Sequence, residues 1–352
     1  MKMAKSSPRQ ALLLAASALV LASLACRTTA GRAPTPTSSA ATAAPTPLPP
    51  DQFTAEVFAT APDTVMALAV DQAENVYAVT IGGALLRIAS DGSVEQVYTG
   101  IERCGFSDRV VAALPSGDVV VNHCVDTKDT LLRIDQAGNT TTLLQLDESL
   151  TTMTSDATGN LYLGFWTSEG NISVEFNPSY LSGADYLAGQ IAVLRPGGQL
   201  ENLYEGGIPL SIAASGGENL YAALWGRPGP FQPEQKSYTM CGPTKNFWIA
   251  LSDQGQIVQI KPGQGDVSAE SGWSGTFSYV ATGQDGMLYA FGSVEGKPCG
   301  VYRIAPTQQP ERLELAESGV DKKITTLAVS ANAIYFADMD GNVYRASLVS
   351  SK

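Results

Sequence analysis

The sequence is poor in the residues that build many enzyme sites. Its 352 residues include one histidine, His123, and five cysteines. No CxxC or CxxxC spacing occurs, which leaves little for a zinc or other thiolate–imidazole centre. No Gly-x-Ser-x-Gly nucleophile elbow is present. Long amphipathic helical stretches are missing, so an all-β chain is expected. Positive charge is also short. Lys and Arg number 22 against 34 Asp and Glu, for a net charge of −12, and that balance excludes nucleic acid as a partner. The continuous apolar run at residues 11–25 is too short to span a bilayer comfortably.

That run has another reading. Lys2, Lys5 and Arg9 precede it, and Ser23-Leu24-Ala25-Cys26 ends it. A basic start, an apolar stretch and small residues before a cut make a secretory signal over residues 1–25. Small residues before a cysteine resemble the bacterial lipoprotein box, which implies lipidation of Cys26. Cleavage by an ordinary signal peptidase at the same bond is the alternative. Residues 26–50 are almost wholly Thr, Ser, Ala and Pro after the first few positions, a composition that stays extended as a tether. The expectation is an exported lipoprotein on the cell envelope, anchored to the membrane through its lipid, with its domain outside the cytoplasm.

Residues 51–350 form the domain, and glycine and proline punctuate them into short apolar runs. The stretch 67–100 holds four such runs joined by tight turns, which is an antiparallel meander. Variants recur. First strands end at Val70, Leu114, Ser155, Ala214, Ala281 and Val329, and each is followed by a turn and a second apolar strand. Six repeats predict a six-bladed β-propeller of four-stranded blades. In the fourth repeat, residues 247–252 are expected as strand three and 256–261 as strand four. The sixth repeat has three strands, and residues near 54–60 are the candidate for its missing outer strand, pairing with residues near 342–348.

The pattern, with Asp/Ser turns holding Gly-Asn, then Leu-Tyr, then Arg-Ile before a Gly hairpin, resembles the NHL-type propellers. It also resembles the regucalcin/gluconolactonase-like hydrolases and the streptogramin lyase-like proteins. The resemblance implies the fold and leaves the function open, because such propellers host binders, lactonases, lyases and scaffolds.

Candidate sites follow on one face, where first strands begin and long loops collect. Insertions at 167–189 and 226–246 carry Phe176, Tyr180, Tyr186, Phe231 and Tyr238, with Trp166 and Trp225 at their roots. Presented aromatics suit a carbohydrate, a peptide or a partner protein; packed on each other they would be a lid. Asp63, Asp108, Glu148 and Asp321 precede first strands. The regucalcin-like enzymes hold a divalent metal there, so the resemblance allows a cation such as calcium on these residues, though the Glu-Gly-Pro and Pro-Asn-Asp-Gly signatures are missing. Capping turns and lining a wet channel are the other roles open to them. No cofactor is otherwise expected. The remaining cysteines are expected to pair as Cys104–Cys124 and Cys241–Cys299, as an exported address permits. His123 stands alone beside Cys124 and reads as structural. The leading expectation is a monomeric binding propeller, and the alternative is a metal-dependent lactonase working at the propeller mouth.

Overall fold

The computed structural model describes residues 53–104, 107–167, 188–215, 219–225, 256–260, 273–283, 285–294, 298–305, 308–315 and 324–348. They hold β1 (Ala55–Thr60), followed by strands in six groups. Blade I is β2 (Val65–Val70), β3 (Val76–Thr80), β4 (Leu85–Ile88) and β5 (Val94–Tyr98). Blade II is β6 (Val111–Ala113), β7 (Val119–Val125), β8 (Lys128–Ile134) and β9 (Thr140–Gln145). Blade III is β10 (Ser149–Ser155), β11 (Leu161–Thr167), β12 (Ala188–Leu194) and β13 (Leu200–Gly206). Blade IV starts with β14 (Ile208–Ser215), β15 (Asn219–Trp225) and β16 (Gln256–Ile260). Blade V is β17 (Trp273–Thr282), β18 (Leu288–Val294), β19 (Gly300–Ile304) and β20 (Glu311–Arg312). Blade VI is β21 (Ile324–Val329), β22 (Ala333–Asp338) and β23 (Asn342–Ser347).

Pairing within each blade is antiparallel and sequential. The inner strands β2, β6, β10, β14, β17 and β21 touch one another in that cyclic order, with β21 returning to β2. The protein is a six-bladed β-propeller.

Two-residue periodicity explains why the blades stack in a ring. Along β3, Val76 and Ala78 point to blade VI and pack with Ala328, Tyr335 and Val343. Tyr77 and Val79 point the other way and pack with Val111, Val121 and Leu132 of blade II. Both faces of β3 are therefore buried, as both faces of a central propeller strand must be. Comparable clusters fill the interfaces II–III, III–IV, IV–V and V–VI. The core is six interblade layers, and outer strands such as β5 and β9 stay largely exposed.

The ring closes with a strand from the other end of the chain. β1 pairs with β23 as the outer strand of blade VI, in the register Ala55↔Ala346 to Thr60↔Asn342. Phe53, just before β1, is 1% exposed and enters the V–VI layer beside Phe291 and Leu348.

Blade IV departs from the sequence expectation. Gln256–Ile260 pairs directly with β15, so it is the third strand and not the fourth. Residues 247–252 lie outside the described residues. The outer edge is supplied by Trp273 and Ser274, which pair with Ile257 and Gln256. The same ten-residue strand, β17, then runs on as the inner strand of blade V. Blades IV and V thus form one seven-stranded sheet. The repeat arithmetic missed this because one uninterrupted strand serves two blades.

Turns are locked by a recurring Asp-x-x-x-Asn-x-Tyr arrangement. The Asp156 carboxylate accepts the main-chain N–H groups of Thr158 and Asn160 at 2.8 and 3.0 Å, the Asn160 amide at 2.7 Å and the Tyr162 hydroxyl at 3.0 Å. Asp71 with Asn75 and Tyr77, and Asp338 with Asn342 and Tyr344, repeat it. Burial works to raise the Asp156 carboxyl, but the bonds from Asn160 and Thr158 outweigh it and hold the group below the usual carboxylate range. Burial first, then the neighbouring carboxylate, pushes the phenols of Tyr77 and Tyr162 up to about 12. Gly159 at φ +84° supplies the left-handed turn position inside the Asp156 loop.

Phe53→Ala tests how far the ring relies on its closing segment. It empties a large site shared by blades V and VI, and denaturant unfolding is expected to register a loss of about 3–5 kcal/mol. A loss under about 1 kcal/mol would mean that the layer is stable without the leading segment.

Candidate functional site

The inner strands surround a cavity of about 930 Å³ on the propeller axis. Its middle is apolar and hydroxylic, lined by Leu68, Val110, Met153, Ile212, Val280 and Thr326. The hydroxyls join neighbouring inner strands. Thr325 donates to Val65 O at 2.6 Å, Thr151 to Pro209 O at 2.6 Å, Thr282 to Ala214 O at 2.6 Å and Ser155 to Ala113 O at 2.5 Å. Main-chain groups on the inner edges have no neighbouring ladder, and these side chains satisfy some of them.

The two ends of the cavity differ. Where the inner strands finish, Asp71, Glu74 and Asp156 line it, but their oxygens are occupied. Asp71 and Asp156 hold their turns as described above. Glu74, at φ +65°, accepts from Ser330, Asn332 and Tyr335 at 3.1, 3.0 and 3.3 Å, and so bridges blades I and VI. Where the inner strands begin, Arg103, Asp108, Arg109 and Trp166 line the cavity. This end is the mouth.

One loop, residues 101–110, supplies three of those four residues. Arg109 donates to Ile101 O at 2.5 Å and Ile81 O at 2.8 Å, tying the start of blade II to blade I. Burial, then the charge of Arg103, pulls its guanidinium below the usual range, and Asp63 opposes them. Asp108 takes its place from both sides. Its N–H donates to Leu150 O at 3.0 Å, and its carbonyl accepts the Asn122 amide at 2.8 Å. Beneath the loop lies the buried Asp129, 3% exposed. It accepts the Ser107 hydroxyl, the Leu150 N–H at 3.0 Å and the Asn122 amide at 3.4 Å. A buried carboxylate with several donors is compensated, and here it organises the starts of blades II and III together.

The cysteines complete the anchor. Cys104 and Cys124 form a disulfide with a Cα–Cα distance of 4.9 Å, joining the loop to the end of β7. Cys299 is also disulfide-bonded, and Cys241 lies outside the described residues. His123 is a pin: its Nδ1 accepts the Glu102 N–H at 3.1 Å.

Of the four carboxylates singled out from the sequence, three fall among the described residues. Asp63 is exposed, and its carboxylate accepts the N–H of its neighbour Thr64 at 2.8 Å. Glu148 is exposed, Asp108 is half-buried and Asp321 lies outside the described residues. Among the described residues, no group of three or more His, Cys, Asp or Glu is placed to share an ion. Of the aromatics, Trp166 is half-buried at the mouth and its backbone pairs with Ser149. The backbone of Trp225 pairs with Ile208 at the same face. Phe176, Tyr180, Tyr186, Phe231 and Tyr238 lie outside the described residues. Sequence reasoning missed Arg103 and Arg109. The available signal was their spacing: two arginines bracket Cys104 and Asp108 within seven positions of one loop.

No protein-family model matches the chain, and no curated sequence does either. Solved structures do. A gluconolactonase from Xanthomonas campestris superposes with a TM-score of 0.56 at 11% identity, over 84% of this chain and 90% of that one. A putative glucose dehydrogenase from Thermus thermophilus gives 0.52 at 16%, over 84% and 99%. Virginiamycin B lyase from Staphylococcus aureus gives 0.51 at 12%, over 85% and 100%. At such identities the likeness shows the fold. The chain's structural neighbours include gluconolactonase-like six-bladed propellers.

Cutting the anchor tests its part in the domain's stability. A C104A/C124A double variant opens a loop of 20 residues, which the chain-entropy relation values at about 3 kcal/mol. Chemical unfolding is expected to register about that loss. Unchanged stability would show the loop to be held by its hydrogen bonds alone.

Proposed function

We propose that the protein works on a small sugar-derived molecule at the mouth of its central cavity, and that the reaction is the opening of a lactone ring. The observation that carries this is the mouth itself. It is a concave, half-apolar cavity with ionisable groups, Arg103, Asp108 and Arg109, lining one end. The gluconolactonase among the structural neighbours supports the choice of substrate class. In this reading the Asp108 carboxylate takes a proton from water as it attacks the acyl carbon, and the Arg109 guanidinium steadies the oxyanion. The ring C–O bond then breaks, and the ring oxygen leaves as the hydroxyl of a hydroxy acid. No step runs through a metal, because the described residues do not assemble a ligand set.

A second reading keeps the mouth and removes the chemistry: a propeller that binds a carbohydrate or peptide against Trp166. It is favoured by Trp166, an aromatic side chain that lines the same mouth. Following hydrolysis of glucono-δ-lactone by pH-stat separates the two. The hydrolase reading expects turnover, and Asp108→Asn is expected to lower kcat by roughly 10²-fold or more while the melting temperature holds. Binding of the lactone without turnover above the spontaneous rate would leave the binding reading.

The cellular address belongs to the same proposal. Cys104–Cys124 suits an oxidising compartment outside the cytoplasm, and the leader with Cys26 suits a lipid anchor. Intact mass of the mature protein is expected to show a chain starting at acylated Cys26. A mature chain with a free, unacylated N-terminus would remove the anchor.

A further inference from the structure

On a chain of net charge −12, the cations that line the cavity among the described residues are Arg103 and Arg109, and one loop carries both. Their situations differ. Arg109 is half-buried and spends donors on two main-chain carbonyls. Arg103 is exposed and has no hydrogen bond or ion pair within the described residues. The charges of Arg103 and Asp63 both act on Arg109, in opposite senses. Arg103 thus places an exposed cation at the mouth of a protein that is acidic as a whole.

The backbone beneath Arg103 is fixed. Glu102 is held through both its main-chain groups: its N–H donates to His123, and its carbonyl accepts the Cys124 N–H at 3.1 Å. Cys104 is bonded covalently to Cys124, and its carbonyl accepts the Ser107 N–H at 2.8 Å. The residues on either side of Arg103 are thus tied to consecutive residues of β7. A side chain carried on so immobile a segment loses little backbone freedom when it takes a ligand. A guanidinium offers a planar fork of donors that matches a carboxylate in two parallel bonds.

We infer that Arg103 is a specificity residue for a ligand bearing a carboxylate, of the sugar-acid class. The inference rests on the reading of the mouth as a small-molecule site and adds a charge requirement to it. A monoanion fits better than a phosphate, because Asp108 lines the same mouth and Asp63 acts on the adjoining Arg109, and both would repel a second negative charge. A hydroxy acid, the product of opening a lactone, carries the group that Arg103 would hold.

Isothermal titration of the full chain with D-gluconate, D-glucose, glucose 6-phosphate and glucono-δ-lactone tests this, using wild type, Arg103→Gln and Arg103→Lys. Gluconate is expected to bind at least about tenfold more tightly than glucose, with the advantage shrinking at 0.5 M salt. Arg103→Gln is expected to remove most of that advantage and leave glucose binding as it was. Arg103→Lys should restore only part of it, since a point charge lacks the fork. Arg103 is exposed, so each variant should melt with wild type and show the same free-thiol count. The inference falls if gluconate and glucose bind alike, if Arg103→Gln binds gluconate as wild type does, or if the phosphate is preferred. If the lactone still binds in any of those cases, the mouth stands without the charge requirement. If none of the four ligands binds, the reading of the mouth falls as well.

Discussion

Six sheets can bury both faces only if the circle is complete, and the pairing of β1 with β23 completes it. In an open row of blades, blade I would present Val76, Ala78 and Ile88 to water on one side. Blade VI would present Tyr335, Ala337 and Val343 on the other. Closure turns those two end faces into one more interblade layer, equivalent to the other five. The covalent chain does not enforce this. An outer strand borrowed from the opposite end does, so the last blade holds residues separated by nearly the whole domain. Contacts of such sequence separation form late and slowly, and a domain of this kind depends on them.

The axis is where this architecture produces a site. Inner strands show one edge to the cavity, and a regular ladder cannot continue around the ring. Threonine and serine hydroxyls take up carbonyls across that gap at four of the six junctions described above, each contributing on the order of 1 kcal/mol. They also give the channel wall a polar grain without charge. Charge is confined to the two ends. One end is consumed by structure, with Asp71, Asp156 and Glu74 holding turns and a neighbouring blade. At the other end a loop is tied down by a disulfide, a histidine and a buried aspartate, and Asp108, Arg103 and Arg109 line the cavity there.

Much of the fold was legible in the sequence because it is written in local terms. Runs such as Val76-Tyr77-Ala78-Val79 declare a strand buried on both faces. Asp156-Ala157-Thr158-Gly159-Asn160 declares its own turn, since every bond it uses lies within the segment. The borrowed strand could be inferred because the last repeat was one strand short. Blade IV misled for the opposite reason. Counting repeats assigns each strand to one blade, and β17 belongs to two. The site was less legible still. Acidic residues before inner strands drew notice by analogy with metal-binding propellers, yet among the described residues no three His, Cys, Asp or Glu are placed to share an ion. What distinguishes Arg103 is tertiary: two neighbours clamped to another strand about 20 residues away, and no hydrogen bond or ion pair of its own among the described residues. No periodicity reports that.

Ala55 and Ala346 sit opposite each other in the closing ladder, so the start and finish of the folded domain are adjacent, an antiparallel pair apart. The place where the chain is cut is therefore not dictated by the circle. A short linker joining the residues before Phe53 to those after Leu348, with new termini opened at an outer hairpin such as Ser90–Ser93, would give a circular permutant with the same six layers. In that permutant blade VI would be continuous and blade I would take its outer strand, β5, from the new leading end, so its stability would report whether the borrowed strand has to sit in the last blade.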